Sequence, residues 1–294
     1  MRDRRFQNPA KTHAALIAVW AAATAAAQMI PTIPMLGTGR AFSLAAALTP
    51  LAGVFFGPIY GALCAAVGGF AGSFLAPLTA WLGPWTFVPG MVTAFTAGCI
   101  AWGGWPPVRI SQRGSFVVNG GIVALILGTA LWLSHETGRS VLRLPAVFYG
   151  AGLAALIAGS MFARRALAGK RSAPKFPALA LCAFGGMAGG AGVGNFFGLA
   201  LFDHPREMWM ALAFLAPLER IAFSIGSALI GLPLLASLPK IGVFIGPQEE
   251  PEGAEAEAGE GGGAARRGAA PGHEGAAESG EAAGEGRAAP GGEP

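Results

Sequence analysis

Eight predominantly apolar segments, interrupted by proline, glycine and charged residues, run through most of the 294-residue chain. A helix needs roughly 20 apolar residues to cross the hydrocarbon core of a bilayer. Most of the segments have about that length, and the stretches between them are short. Their approximate bounds are 14–33, 42–56, 59–78, 85–105, 116–134, 146–163, 177–202 and 208–238. This pattern predicts an all-α, polytopic membrane protein, a bundle of six to eight transmembrane helices.

Charged residues are scarce, and the acidic ones are concentrated at one end of the chain. They make up 12% of the residues, about half of the roughly 25% that is typical of soluble domains. Eleven of the sixteen acids lie in residues 247–294, which are rich in Gly, Ala and Glu. Such a segment cannot bury enough surface to offset its chain entropy, so we expect a disordered tail. A basic N-terminus, residues 1–13, and a transmembrane helical domain, residues 14–246, precede it.

The Lys and Arg residues indicate how the segments are oriented. If all eight cross the membrane, both termini lie on one side, which receives twelve Lys and Arg, and the opposite side receives four. Because basic loops stay inside, the sequence predicts a multi-pass protein of the cell membrane with both termini in the cytoplasm. Removing one segment would put alternate basic loops on the wrong side. Removing a pair would keep the orientation, so both six and eight crossings remain open.

The residues that usually carry chemistry are few and dispersed. Cys64, Cys99 and Cys182 each stand alone in an apolar segment, and no two of the four His have the helical spacing of metal ligands. We therefore expect no metal site and no cofactor. The glycine-rich run GGMAGGAGVGN, residues 185–195, lacks the lysine of a nucleotide-binding loop. No nucleophile and base are recognisable as a set, so we expect no enzyme.

Two segments have a small residue at every fourth position, which lets helix backbones approach closely in a membrane. The two sets are Ala14, Ala18, Ala22 and Ala26 in the first segment, the alanine face, and Gly186, Gly190, Gly194 and Gly198 in the seventh, the glycine face. Both predict tight helix contacts. The contact is either with another helix of this chain or with a partner subunit.

The eighth segment carries an acid and a base, Glu219 and Arg220, about twelve residues from its start. At about 1.5 Å per residue they lie near the bilayer midplane, where charged side chains usually face the bundle interior and mark a site or pathway. They form either a structural ion pair or a polar anchor for a small molecule. Asn195 lies beside the glycine face and is either a link between helices or a ligand contact. We expect the site between the seventh and eighth segments, where the glycine face would bring the two backbones close.

The connections on the outer side are short and contain aromatic residues. Trp81 and Trp85 follow the third segment, and Arg40 follows the first. The two Trp residues are either interfacial anchors or, together with Arg40, the roof of a small-molecule site, because such sites combine apolar walls with a few polar groups. We include all three among the candidate substrate-binding residues.

Residues 44–77, LAAALTPLAGVFFGPIYGALCAAVGGFAGSFLAP, show a similarity to a known family. They resemble the second and third helices of the S-components, the substrate-binding membrane subunits of energy-coupling factor (ECF) vitamin transporters. Gly57, Pro58 and Gly61 match the G-P-x-x-G turn of that family. The proline-containing connection after the first segment and the P-x-E-R sequence of the last are also similar.

The resemblance implies a subunit that captures a vitamin-like small molecule from outside for ATP-driven uptake. A transmembrane coupling subunit and two cytoplasmic ATPases would supply the work. Because the basic residues lie at the ends of the segments, we expect no nucleic-acid partner. The small-residue motif with which the family docks its coupling subunit maps to Ala18, Ala22 and Ala26.

The chain departs from the family in length. The resemblance covers roughly residues 14–105 and 177–238, and S-components usually have six spans. Residues 116–163 are therefore expected to be an inserted helix pair.

Another class of function also fits the residues. A stand-alone proton-coupled secondary transporter would use a titrating acid within the membrane, and Glu219 is the candidate for it.

Overall fold

The structure is a computed structural model, and it describes residues 9–35, 39–102, 108–109, 117–118, 120–141, 143–169, 171–202 and 205–247. The predicted tail, residues 247–294, lies outside the described residues except for Pro247. The nine described helices are α1 (Pro9–Gln28), α2 (Ala45–Phe56), α3 (Pro58–Leu75), α4 (Phe87–Ala101), α5 (Gly120–Ser134), α6 (Glu136–Ser140), α7 (Arg143–Ala168), α8 (Lys175–Leu201) and α9 (Arg206–Ser237).

Each of the eight apolar segments coincides with one of these helices, and only the short α6 was not predicted. Four of the described helical stretches are long and apolar enough to cross a membrane: Pro58–Leu75, Pro145–Ala168, Lys175–Leu201 and Arg206–Ile241. Shorter apolar stretches occur at Ala14–Gln28, Ala45–Phe56 and Gly120–Ser134. The helical membrane architecture is therefore confirmed, and the count of six to eight crossings stays a prediction.

A β-hairpin replaces part of two predicted segments. Strands β1 (Pro31–Met35) and β2 (Arg40–Ser43) pair antiparallel, although residues 31–33 and 42–43 were assigned to the ends of the segments 14–33 and 42–56. Prolines explain the difference, because Pro31 and Pro34 lack a backbone N–H and Pro31 disfavours the helical conformation of the residue before it. The helix ends at Gln28, and the all-α prediction fails for this connection.

A second strand pair lies between α4 and α5. Strand β3 (Val108–Arg109) pairs antiparallel with β4 (Val117–Val118). The predicted segments 85–105 and 116–134 are therefore too long, since α4 ends at Ala101 and α5 begins at Gly120.

Helix α8 lies at the centre of the bundle and packs against α4, α5, α7 and α9. The glycine face makes the approach to α4 possible. A Cβ atom added to Gly186 would lie 2.7 Å from Thr93 O, and one added to Gly190 would lie 2.5 Å from Pro89 O. The prediction of close packing within the chain is confirmed for these two glycines. The main partner of the face is α4, however, and not α9 as expected.

Helices α2, α3 and α4 form a second closely packed group. Gly53 of α2 contacts the backbone of α4 at Ala94 and Gly98, and a Cβ added to Gly61 of α3 would lie 2.6 Å from Ala52 O. The turn between α2 and α3 requires a positive φ of 84° at Gly57, which glycine adopts without steric cost. Pro58 then begins α3, where its fixed φ suits the first helical position.

The alanine face is exposed on the surface of the bundle. Ala14, Ala18, Ala22 and Ala26 are all exposed, whereas Ala21 and Ala25 on another side of α1 are buried. Helix α1 therefore packs on α2 and α3 with a different set of residues. The alanine face makes no tight contact within the described chain, so packing within the chain does not explain its small residues.

Candidate functional site

A cavity lies at the end of the bundle that is closed by the β1–β2 hairpin and the connection between α3 and α4. Its empty space is about 810 Å³, including the part that is open to solvent. The lining comes from β2, from the α3–α4 connection and from helices α1–α4, α8 and α9. The residues are Gln28, Phe42, Ser43, Ala45, Ala46, Thr49, Ala65, Gly69, Thr79, Trp81, Thr86, Phe87, Pro89, Gly90, Thr93, Met187, Gly190, Ala191, Gly194, Asn195 and Arg220. We call it the first cavity.

Arg220 reaches the first cavity from α9. Its Cζ atom lies 5.0 Å from the centroid of the Phe42 ring, a distance at which a guanidinium is attracted to an aromatic face. The Phe42 ring is held in turn by an edge-to-face contact with Phe223, with centroids 5.9 Å apart. Arg220 Nε is buried and has no hydrogen-bond partner among the described residues. A ligand with an acceptor atom would satisfy this donor.

Glu219 does not line the first cavity, although it precedes Arg220 in the chain. Its side chain is 4% exposed, and its Oε1 atom finds no hydrogen-bond partner in the described part of the chain. Adjacent residues of a helix point about 100° apart, and this angle separates the two side chains. The structure therefore brings Arg220 to the site and leaves Glu219 away from it.

Asn195 lines the first cavity from α8 and also joins two helices. Its Nδ2 atom donates to the hydroxyl of Tyr149 on α7 over 3.2 Å. Both interpretations of this residue, a link between helices and a contact within a site, therefore agree with its position.

The two tryptophans of the α3–α4 connection differ in position. Trp81 lines the first cavity and lies against the glycine face, 3.4 Å from a Cβ added to Gly194. Trp85 is 50% exposed and stacks on Phe87 and Phe197 with centroids 6.5 and 6.1 Å away. It is absent from the lining, and its exposure is typical of an interfacial anchor.

Arg40 lies on β2 and is not part of the lining. Its Nη1 atom donates to Pro77 O over 3.1 Å and to Ala80 O, and both carbonyls belong to the α3–α4 connection. Arg40 thus fastens the hairpin to this connection. It was expected to form the lid of a site, and the hairpin that carries it does border the first cavity through Phe42 and Ser43.

Gln28 is the main residue of the cavity that the sequence did not reveal. Its Nε2 atom donates to Gly69 O over 3.3 Å and its backbone carbonyl accepts from Thr79 Oγ1 over 2.7 Å. Its Oε1 atom is buried without a hydrogen-bond partner among the described residues. In the sequence, Gln28 could have been noticed as a polar amide at the end of the largely apolar run from Ala14. Thr93 and Phe87, which also line the cavity, had no signal that distinguishes them from ordinary helix residues.

The chemistry of the lining is that of a binding site. Among the described lining residues none is acidic, and Arg220 carries the only formal charge. No group of three or more His, Cys, Asp or Glu that could hold a metal ion occurs in the described residues. The aromatic walls and the dispersed amide and hydroxyl groups suit a small organic molecule.

Comparison with known proteins gives one family. The model of the family described as "ECF-type riboflavin transporter, S component" matches residues 10–132. This match extends through most of α5, beyond residue 116, where the inserted helix pair was expected to begin. The comparisons with curated proteins and with solved structures gave no match. The family match includes residues 44–77 and confirms the resemblance seen there: over residues 10–132 the chain is similar to the S components of ECF transporters.

Proposed function

We propose that the chain is the substrate-binding subunit of an ECF-type importer and that it captures a vitamin-like small molecule in the first cavity. The observation that carries this proposal is the convergence of Arg220, Asn195 and Trp81 with Gln28 around one cavity at one end of the bundle. These residues come from four different parts of the chain. The family match is a second, independent support for a substrate-binding membrane subunit.

The proposed substrate is a flat molecule with hydrogen-bond acceptors. The rings of Phe42, Trp81 and Phe87 supply aromatic walls, and the Arg220 guanidinium and the Gln28 amide supply donor and acceptor atoms. The absence of acidic residues from the described lining favours a neutral or anionic ligand. Riboflavin is the first candidate because the matching family model is named for it.

The cavity is proposed to open to the outside. This orientation follows if the termini are cytoplasmic and the cavity is at the opposite end of the bundle. Gly246 N donates to Phe55 O at the end of α2, whereas residues at the start of α2 line the cavity. The N-terminus of α1 is likewise at the end of the helix opposite to Gln28. Both ends of the described chain are therefore on the side away from the cavity.

Reporter fusions test this orientation. A reporter that is active only in the cytoplasm is expected to be active when fused after residue 247 and inactive when inserted at Gly83, in the α3–α4 connection. The physical reason is the excess of Lys and Arg in the loops on the side of the termini. The reverse pattern would contradict the proposed orientation.

The alanine face is proposed to dock the transmembrane coupling subunit. Ala18, Ala22 and Ala26 are exposed, and small residues at this spacing allow a partner helix to approach closely. The partner module, with its two cytoplasmic ATPases, would provide the energy for release and uptake.

Replacing Arg220 with Met tests the proposed site. The change removes the charge and keeps most of the volume, so riboflavin affinity is expected to fall about tenfold or more, which corresponds to a lost charged hydrogen bond of about 1.5–3 kcal/mol. Flavin fluorescence, titrated with the full chain in nanodiscs, measures the change. Arg139→Met, at an exposed arginine outside the cavity, is the matched control and is expected to bind as the wild type does.

The result separates two roles of Arg220. Loss of affinity with an unchanged melting temperature of the unliganded protein supports a ligand contact. Unfolding or aggregation of the unliganded Arg220→Met variant would instead mean that the charge is structural, and the proposed site would be wrong.

A proton-coupled secondary transporter is the second candidate function. Glu219 favours it, because this carboxyl group is buried within the membrane domain and its Oε1 has no partner among the described residues. Collapse of uptake when the proton gradient is removed and ATP is maintained would support this function. Uptake that depends on ATP alone would exclude it.

A further inference from the structure

A second cavity, which also has Arg220 in its lining, lies between α5, α7, α8 and α9. Its empty space is about 450 Å³, including the part that is open to solvent. Aromatic rings form much of the wall, and Trp132 and Trp209 meet edge to face with centroids 5.2 Å apart. Phe148 and Tyr149 of α7 complete the aromatic lining. An apolar, flat group suits such a cavity better than a polar chain does.

Three polar groups of the second cavity can donate hydrogen bonds. Trp132 is 1% exposed, and its Nε1 atom lacks a hydrogen-bond partner among the described residues. Arg220 lines this cavity as well, and its Nε atom is likewise unsatisfied within the described chain. The Tyr149 hydroxyl accepts from Asn195 and retains its own hydrogen for a further bond. Buried donors without partners are costly, so a ligand with acceptor atoms suits this cavity.

Charge narrows the class of ligand further. Arg220 is the one charged residue among the described residues that line the second cavity, and none of them is acidic. A guanidinium binds a carboxylate through two parallel hydrogen bonds, which are stronger than bonds to a neutral group. An aromatic ring and a carboxylate together match both the walls and the charge.

We propose that the second cavity is a separate binding site for an aromatic carboxylate. The ring lies among Trp132, Phe148 and Trp209, and the carboxylate accepts hydrogen bonds from Arg220 and from the Trp132 indole. Ala191, Asn195 and Arg220 line both cavities, so the two sites are adjacent and share one cation. The site does not depend on the proposed capture of a vitamin-like molecule in the first cavity.

The experiment uses 2-naphthoate as the probe and the full chain in nanodiscs. Equilibrium dialysis against empty nanodiscs of the same lipid measures binding to the protein alone. Ala213 lines only the second cavity and Gly90 lines only the first. Ala213→Leu is expected to lower 2-naphthoate affinity at least tenfold by filling the space, and Gly90→Leu is expected to change it less than twofold. 2-Naphthamide, which keeps the ring and lacks the charge, is expected to bind at least tenfold more weakly than 2-naphthoate.

The outcomes distinguish this proposal from the function proposed for the first cavity. Riboflavin binding is measured in parallel, and its absence would count against the vitamin site without affecting the 2-naphthoate result. Equal retention of 2-naphthoate by empty nanodiscs would overturn the proposal, as would an equal loss in the Ala213→Leu and Gly90→Leu variants. If Ala213→Leu does not fold, Ala216→Leu, at another residue of the same wall, fills the cavity instead. Undiminished binding to that variant would likewise overturn the proposal.

Discussion

Replacing Ala22 with Trp is expected to abolish co-purification with a transmembrane coupling subunit and to reduce vitamin uptake to background. Ala22 lies in the middle of the exposed alanine face of α1. A Trp side chain there would hold a partner helix away by far more than the width of a methyl group. Close packing between small residues is not possible at that separation. Affinity chromatography with a tagged chain and uptake of labelled vitamin measure the two effects.

A matched control is available one residue further along α1. Ala23 is also exposed but points about 100° away from Ala22, so Ala23→Trp is expected to keep both co-purification and uptake. Ligand binding by the isolated Ala22→Trp chain is expected to match the wild type, because Ala22 does not line the first cavity. Normal uptake and co-purification in this variant would mean that the face contacts only lipid.

Replacing Gly53 with Ala is expected to destabilise the protein by about 3 kcal/mol or more. The new Cβ would overlap Ala94 O and lie 2.8 Å from Gly98 N, and both atoms belong to the backbone of α4. Backbone cannot rotate away as a side chain can, so α2 and α4 would have to separate. Overpacking typically costs about 1–3 kcal/mol and occasionally more, and a clash with backbone lies at the upper end. Thermal unfolding of the chain in detergent, followed by circular dichroism, measures the loss.

Gly150→Ala is expected to have the opposite effect on stability. Gly150 lies in α7, and a Cβ there meets nothing within 4 Å. Because alanine is a better helix former than glycine by about 1 kcal/mol, this variant is expected to unfold at the same or a higher temperature. If the two variants shift the melting temperature equally, backbone contact is not what requires glycine at residue 53.

The helices could be predicted from the sequence more fully than the connections. Runs of apolar residues identified every described α-helix except the short α6, because this signal depends on composition over many residues. Residues 31–33 and 42–43 at the two ends of the hairpin were counted as helix, since prolines such as Pro31 are themselves compatible with an apolar run. Their effect is local, on backbone dihedral angles and hydrogen bonding, and a count of apolar residues does not register it.

The candidate site was predicted in part. Arg220, Asn195 and Trp81 were singled out for polarity or aromatic character, and they line one cavity. Glu219 and Trp85 were singled out for the same reasons and do not line it. Position in the sequence does not show toward which side of a helix a side chain points, or which helix it faces. For the same reason the contact of the glycine face with α4, instead of α9, was not predicted. Packing of the whole bundle determines both.

The bonds of Arg40 bear on how fast a molecule enters or leaves the first cavity. One side chain on β2 holds two carbonyls of the α3–α4 connection, and both segments contribute lining residues. The hairpin and the connection therefore cannot swing apart independently. A molecule that left the cavity between the hairpin and the connection would have to wait until the Arg40 bonds break, so its residence time would depend on these bonds as well as on the contacts that the molecule itself makes.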